Sequence, residues 1–229
     1  MLFHSKGFLA LNKKFKLPFD GTQSDIIVNA SLPEARKLPV FMENILEKIS
    51  KVIDGTIIME NDTFYVIKTD GKKVDFSLEV EGLRKLGLLW KLIRNGLLEK
   101  GTILLWDEPE ANLNPELFPL IVDILLELEQ AGIQIFIATH SYNLAKYFEI
   151  RREREKQVLY HNLYRISSNT TPEYNLLETE KEQEIYSQSA YYLSMLKGNK
   201  MIMADDNLLE KAMKKNISPQ YPIYNMESF

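Results

Sequence analysis

The middle of the chain carries two short apolar runs with a helix-like pattern between them. Residues 103–106 lie between Gly101 and two carboxylates, which predicts a strand buried on both faces. Residues 133–138 form a second apolar run and predict another strand. Between the runs, apolar residues recur at helical spacing: Leu117, Leu120, Ile121, Ile124, Leu125 and Leu128. This order of elements predicts a right-handed βαβ unit with parallel strands.

The same helix has recognisable start and stop signals. Asn114 can accept hydrogen bonds from the first backbone N–H groups, and Pro115 suits the first helical position because no donor is needed there. Gly132 is expected to end the helix.

Upstream of this unit, the pattern predicts two helices with an antiparallel sheet between them. Apolar residues recur at helical spacing over residues 33–53, where Pro39 is expected to start or kink the helix. Over residues 55–80, three β-rich runs separated by Asn-Asp and Asp-Gly pairs indicate an antiparallel meander. The next helix is predicted over residues 82–96. Residues 1–32 mix short apolar clusters with turn residues, which predicts loops and one or two short strands.

Downstream, the pattern is weaker. Residues 151–156 are a mixed charge run, typical of a solvated loop or helix face. Residues 158–166 and 174–177 predict closing edge strands. Helices are predicted over residues 180–197 and 207–215.

Composition limits the classes of protein to be considered. The chain has 229 residues, 45% hydrophobic and 26% charged, which is typical of a soluble globular protein. It has no cysteine, which excludes a disulfide framework and a thiolate metal site and indicates a reducing cytoplasm. A formal net charge of −4 gives no broad attraction for nucleic acid. No apolar run approaches the roughly 20 residues that span a bilayer, so no membrane association is expected.

The residues that follow the two predicted strands have chemistry suited to a nucleotide. Asp107 and Glu108 end the first strand and His140 follows the second, so all three are expected at the edge where open α/β sheets bind ligands. A carboxylate there can hold Mg²⁺, a second one can orient the attacking water, and a histidine can stabilise charge on a terminal phosphate. A turn or helix cap is the alternative interpretation of an Asp-Glu pair after a strand.

Longer stretches around these residues resemble a known family. ILLWDEPE (residues 103–110) resembles the Walker B segment of ABC-type ATPases, ANLNP (111–115) their D-loop, and IATHS (137–141) their His switch. The variant is most similar to prokaryotic AAA-family ATPases that are not transporters, the RecF/SMC-like and overcoming-lysogenisation-defect-like proteins. The resemblance implies an α/β, P-loop NTPase-like fold: a partial parallel sheet with flanking helices and a small antiparallel meander.

The resemblance also implies ligands, partners and roles. ATP and Mg²⁺ are the implied ligands, and a head-to-tail dimer encloses the nucleotide, with DNA or an effector protein as a further partner. Asp107 is implied as the metal ligand, and Glu108 as the catalytic base or water-orienting group. His140 is implied as the catalytic sensor of the γ-phosphate, and Ser141 belongs to the same switch as a nucleotide-binding residue.

Two further segments have a place in this family pattern. Gly82 and Arg84 occupy the position of the signature segment, whose helix start is implied to contact nucleotide held by another subunit. Val80 stands where relatives have a serine, and an amphipathic helix that simply begins at a glycine is the alternative. Asn114 is implied to bind across the dimer as part of the D-loop, but its role as a helix cap explains it equally well.

Under the resemblance, the chain has three parts. Residues 1–78 are an N-terminal remnant with a helix and the meander. Residues 79–150 are the ABC-type core with the signature, Walker B and His switch. Residues 151–229 supply edge strands and helices.

A Walker A loop is absent from the 229 residues. Of the ten glycines only Gly71 precedes a lysine, and Val66 and Lys73 stand where the motif needs glycine and serine or threonine. The sequence therefore predicts a truncated ATPase lobe that hydrolyses ATP only when a Walker A-bearing lobe or subunit completes it. The alternative is a catalytically inactive interaction module. Nucleic-acid binding without ATP is a third hypothesis, but the basic, aromatic-rich surface it needs is missing.

Overall fold

The computed structural model describes residues 14–15, 21–61, 63–165 and 185–196 and divides the chain into two units, residues 1–139 and 140–229. The first unit contains α1 (Gly21–Ala30), α2 (Val40–Ile53), β1 (Gly55–Glu60), β2 (Thr63–Lys68), β3 (Lys73–Asp75), α3 (Glu81–Arg94), β4 (Ile103–Asp107), α4 (Phe118–Gln130) and β5 (Gln134–Ala138). The second contains α5 (Tyr142–Arg151), β6 (Tyr160–Arg165) and β7 (Ile185–Ala190). Within the described ranges, no helix is long and apolar enough to cross a bilayer.

The ends of α2, α3 and α4 follow the predicted signals. α2 begins directly after Pro39, so this proline starts the helix and does not kink it. α3 and α4 each end at a glycine in the left-handed conformation, Gly96 with φ 74° and Gly132 with φ 90°. After α4, the N–H of Ile133 donates to the carbonyl of Leu128 at 3.2 Å, as in a Schellman motif.

Residues 21–30 form α1, so the prediction of loops and short strands for this region is wrong. Ile27 and Ala30 are buried, and α1 contacts α3. Asn95 Nδ2 donates to the carbonyls of Asn29 and Ala30 at 3.0 and 3.1 Å, which satisfies acceptors at the end of the helix. Tertiary packing therefore stabilises a helix whose own sequence has only a weak apolar pattern.

The antiparallel meander is confirmed, in the strand order β1–β2–β3. Its inner face carries Ile57, Phe64 and Val66, each at most 1% exposed, and β1 contacts both α2 and α3. The third strand is shorter than predicted because it ends at Asp75. The carboxylate of Asp75 accepts a hydrogen bond from the N–H of Ser77 at 2.9 Å and begins a 3₁₀ turn.

β4 and β5 pair in parallel, with α4 between them in sequence, which confirms the strand–helix–strand unit and the α/β class. The prediction that the first of these strands is buried on both faces is wrong. Ile103 and Leu105 are 58% and 74% exposed, and Phe136 on β5 is 49% exposed. α4 contacts β5, whereas the exposure of these three side chains shows that one face of the pair is uncovered.

In the second unit, β6 and β7 pair antiparallel, which confirms an edge strand within residues 158–166. The helix predicted over residues 180–197 is wrong for its described part, which contains β7 and a 3₁₀ turn at Leu193–Met195. Backbone pairing with β6 overrides the helical pattern of this segment. The strand predicted over residues 174–177 and the helix predicted over residues 207–215 lie outside the described residues.

A small apolar cluster organises the described part of the second unit. Ala145, Leu193 and Leu196 are buried, and Tyr160 packs against them. The hydroxyl of Tyr160 donates to the carbonyl of Ala145 at 3.0 Å, and burial raises the pKa of Tyr160 far above its usual value. Residues 153–156 are exposed, as expected for a solvated charge run.

Candidate functional site

The carboxyl ends of β4 and β5 meet at one edge of the sheet, where Asp107 lies opposite Ala138. The Asp107 side chain is exposed, and within the described ranges it has no hydrogen-bond or ion-pair partner. Its carboxylate is therefore open to solvent or to a cation. This is the edge at which the sequence predicts a ligand site, and the role of Asp107 stays a prediction.

Glu108 has a backbone conformation that is rare for a residue with a side chain, since its φ is 45°. Its N–H donates to the carbonyl of Ala138 at 2.8 Å. Its own carbonyl accepts from the N–H of Ala111 at 3.1 Å and from Lys85 Nζ at 2.7 Å. Such a conformation costs on the order of 1–3 kcal/mol and persists only where the surroundings fix it. Because strain of this kind concentrates at functional sites, it favours Glu108 as a candidate catalytic group.

The start of α3 packs directly on the loop that follows β4. A Cβ at Gly82 would lie 2.3 Å from the carbonyl oxygen of Asn112 and 2.9 Å from Leu113 Cδ2. Only glycine allows the two backbones to approach this closely. The structure thus brings the predicted signature and D-loop segments together within the first unit. Lys85 links the same helix to the Walker B segment, through the carbonyl of Glu108.

Arg84 and Asn114 are held by local contacts. Arg84 Nη1 donates to the carbonyl of Ser77 at 3.1 Å. Asn114 Oδ1 accepts from the N–H of Glu116 at 3.1 Å, which confirms the predicted cap. The cap serves a 3₁₀ turn, Pro115–Leu117, that precedes α4. Nucleotide binding by Arg84 or Asn114 stays a prediction, as it does for Gly82.

Glu110 is a buried carboxylate at this edge that the sequence-based reasoning missed. It is 6% exposed, and glutamate is almost never buried to this extent unless it is paired. Its Oε1 accepts a hydrogen bond from Thr139 Oγ1, whereas its Oε2 has no partner in the described structure. The sequence feature that could have identified Glu110 is its place as the last residue of DEPE, but a charged residue next to a turn is ordinarily exposed to solvent.

His140 and Ser141 begin the second unit. Ser141 is the N-cap of α5, and its Oγ accepts from the N–H of Leu144 at 3.3 Å. This capping role was not recognised from the sequence. His140 is exposed and immediately precedes the cap. The catalytic and nucleotide-binding roles of these two residues stay predictions.

Asp107 fits an Mg²⁺ ion that arrives with a nucleotide. Magnesium in such sites takes one or two protein carboxylates, while phosphates and water complete its octahedral shell. Asp107 offers one exposed carboxylate at the sheet edge. In the part of the chain that the structure describes, no group of three or more His, Asp or Glu side chains gathers to hold a metal.

Sequence comparison identifies a family for most of this region. The profile described as "AAA domain, putative AbiEii toxin, Type IV TA system" matches residues 5–146. That span is more than half of the chain and includes β4, β5 and the residues that follow them.

Similar proteins include two ATP-binding proteins of transporters. The arginine transport ATP-binding protein ArtP of Haemophilus influenzae is 44% identical over 54 residues, which are 24% of this chain and only 22% of ArtP. The L-cystine import ATP-binding protein TcyN of Bacillus subtilis is 25% identical over 202 residues, 77% of this chain and 74% of TcyN. A solved SMC ATPase, from work on ATP-driven dimerization and DNA-stimulated activation, aligns with a TM-score of 0.39 and 12% identity over 75% of this chain and 96% of its own.

Proposed function

Because the chain belongs to the family described as "AAA domain, putative AbiEii toxin, Type IV TA system", we propose that it is the lobe of an ABC-type ATPase that carries the signature, Walker B, D-loop and His switch. On this proposal, the Walker A loop comes from another polypeptide segment. ATP and Mg²⁺ bind where the two lobes meet, and the chain contributes to hydrolysis only in that completed site.

The open face of the parallel pair is the observation that carries the proposal. Strands of parallel sheets are ordinarily covered on both faces, yet Ile103, Leu105 and Phe136 remain about half exposed or more. An exposed apolar patch of this kind marks an interaction site. Since side chains alternate along a strand, Asp107 lies on the same face of β4 as Ile103 and Leu105. A lobe that covered the patch would therefore bring its own groups beside the Asp107 carboxylate.

Each of the three chemical residues has a distinct role in the completed site. Asp107 holds Mg²⁺, which neutralises charge on the nucleotide phosphates when it is bound. Glu108 orients the attacking water and accepts its proton, and its fixed backbone supports this role because a misplaced base loses efficiency. His140 senses the γ-phosphate and stabilises the charge that develops there.

The remaining predicted residues contact nucleotide that is held by the opposite lobe or by a second copy arranged head to tail. Gly82 acts through its backbone N–H at the start of α3, because its Cα is packed against Asn112. Arg84 adds positive charge beside it. Asn114 and Ser141 keep their capping bonds and contribute hydrogen bonds to the partner or to nucleotide.

The test is recovery of the missing lobe and of turnover. The tagged chain would be used to capture proteins from the organism that encodes it, in the presence of Mg²⁺ and a slowly hydrolysed ATP analogue. We expect a captured polypeptide with a G-x-x-x-x-G-K-[ST] loop, and ATP turnover when the purified pair is mixed. Glu108→Gln should retain ATP in the complex but lower turnover by about a hundredfold or more.

A matched pair of variants shows whether the open face is the contact. Leu105→Arg places a charge on this face, and we expect it to lower capture at least about tenfold. Leu163→Arg makes the same change at a leucine in the second unit that is 71% exposed, compared with 74% for Leu105. Equal capture by the two variants, or full turnover in Glu108→Gln, would overturn the proposal.

The second candidate function is a catalytically inactive interaction module. The observation that favours it is that Gly82 and Asn114 already have structural roles within the first unit, in close packing and in capping. This candidate predicts that the captured partner binds the chain without any ATP turnover. Under it, Glu108→Gln changes neither nucleotide retention nor the stability of the complex.

A further inference from the structure

Glu110 Oε2 is one of two buried side-chain atoms without a hydrogen-bond partner among the described residues, the other being Asn95 Oδ1. Only two of the described charged residues are buried, Lys91 and Glu110. Lys91 is paired with Glu34 at 3.2 Å, whereas Glu110 has a single hydroxyl partner and one carboxylate oxygen with none. A buried polar group without a full set of partners is costly to retain, and each such case calls for an explanation.

The explanation lies in what Glu110 connects. Glu110 follows β4, and Thr139, its partner, directly follows β5. The N–H of Glu108 already binds Ala138 at 2.8 Å, so the two bonds form consecutive links between the loop after β4 and the end of β5. Both links lie in the first unit: one is made by the strained residue Glu108 itself, and the other by Glu110, two residues later.

These links oppose the tendency of Glu108 to relax. A residue with a side chain prefers a negative φ, and a rotation to that conformation would turn the Glu108 carboxylate away from its present direction. The bond from Lys85 fixes the Glu108 carbonyl but does not fix the residues that follow it. The next buried residues along the chain are Pro109 and Glu110, and Glu110 is the one whose side chain makes a hydrogen bond.

We propose that Glu110 is a positioning residue that holds the strained Glu108 backbone in place through its hydrogen bond to Thr139. The inference rests on the proposed function, since Glu108 is there the group that orients water. The positioning role also explains why a carboxylate occupies a buried position that an apolar residue would fill at a lower cost in free energy. Displacement of a catalytic group by about 1 Å lowers turnover by about a hundredfold, so a link of this kind has a measurable effect.

Four variants separate positioning from simple core filling. Glu110→Gln keeps the size and an acceptor for Thr139 Oγ1, and Thr139→Ser keeps the hydroxyl. Glu110→Met and Thr139→Val each remove one side of the bond at similar volume. The double variant Glu110→Met with Thr139→Val removes both partners of this bond together, so it is expected to fold even if a single variant does not.

The first measurement is amide hydrogen exchange in the isolated chain, which needs no nucleotide. The amides of Glu108 and Ala111 report the loop directly, because they bind the carbonyls of Ala138 and Glu108. We expect Glu110→Met, Thr139→Val and the double variant to speed their exchange by about tenfold or more, while Glu110→Gln and Thr139→Ser stay near the wild-type rate. Wild-type exchange in Glu110→Met and in the double variant would overturn the inference.

The second measurement is ATP turnover in the complex with the Walker A lobe. We expect the apolar variants, including the double variant, to lower kcat by about ten- to a hundredfold with KM for ATP within about twofold. A purely structural role predicts instead that the double variant regains wild-type kcat, which would overturn the inference. If exchange changes as expected but the wild-type complex shows no turnover, the proposed function fails while the Glu110–Thr139 link stands. If the apolar variants show normal turnover and unchanged exchange, the inference fails while the proposed function stands.

Discussion

The two sheets of the first unit differ in how completely the chain covers them. The meander buries Ile57, Phe64 and Val66 almost fully, and its first strand contacts α2 and α3, whereas the parallel pair leaves Leu105 on β4 74% exposed. The strands of the parallel pair are the more apolar of the two sets, so their composition does not account for their exposure. The difference is therefore in their surroundings: the meander stabilises the unit, and the parallel pair carries the contacts and the chemistry that we propose.

The largest effect on stability is expected from truncation of a side chain in the meander, compared with a truncation in the parallel pair. Phe64→Ala removes a side chain that is 1% exposed, and we expect it to lower the free energy of unfolding by about 3–5 kcal/mol. Leu105→Ala, on the open face, should change it by no more than about 0.5 kcal/mol. Urea unfolding followed by circular dichroism would measure both. Similar losses for the two variants would remove the distinction between a covered and an uncovered sheet.

A smaller effect is expected where α3 meets the loop after β4. Gly82→Ala would place a Cβ 2.3 Å from the carbonyl oxygen of Asn112, so the loop or the helix must shift. We expect a loss of about 1–3 kcal/mol, as for other overpacked sites. Gly21→Ala is the control, because a Cβ there meets nothing within 4 Å. Equal stability of the two variants would show that the loop yields freely and that the close approach is not a constraint.

The smallest effect concerns the ion pairs that Glu34 makes with Lys91 and Arg94 of α3. Burial raises the pKa of Glu34, but hydrogen bonds from Arg94 and Lys91 outweigh it and lower the pKa below its usual value. A lowered carboxyl pKa in the folded state stabilises the fold above the unfolded pKa, and this contribution is lost as the pH falls through the folded pKa.

Glu34→Gln should therefore destabilise the protein at pH 7 by about 0.5–1 kcal/mol, since the pair is partly exposed. Urea midpoints of the wild type and the variant, compared at neutral pH and then in acid, would measure the difference. We expect the gap to narrow below the usual pKa of glutamate. A gap that stays constant with pH would show that the charge of Glu34 is not the cause.

The sequence predicts the elements of the first unit better than their environment. Chain-local signals, such as Pro39 before α2 and Gly132 after α4, mark helix ends because they act through their own backbone geometry. Burial is different, because an apolar run such as residues 103–106 does not specify whether the chain covers both of its faces. Residues 21–30 and the part of residues 180–197 in β7 were misjudged for a related reason, since their structure depends on contacts with distant segments.

The same limit applies to the site. Asp107 and Glu108 were found from their position after an apolar strand, which is a local pattern. The left-handed backbone of Glu108 and the part-buried Glu110–Thr139 bond depend on the relative position of two strand ends, which no local sequence pattern specifies. Gly82 is a mixed case, because its place was predicted while its packing against Asn112 was not.

On the proposed function, the chain supplies one half of a nucleotide site. The measurement that decides this is calorimetric titration with Mg²⁺–ATP, of the chain alone and then of the chain with its captured Walker A lobe. We predict no detectable heat for the chain alone and saturable binding for the pair, weakened by Asp107→Ala. Saturable binding by the chain alone that is lost in Asp107→Ala would contradict the account, because the site would then be complete without a second lobe.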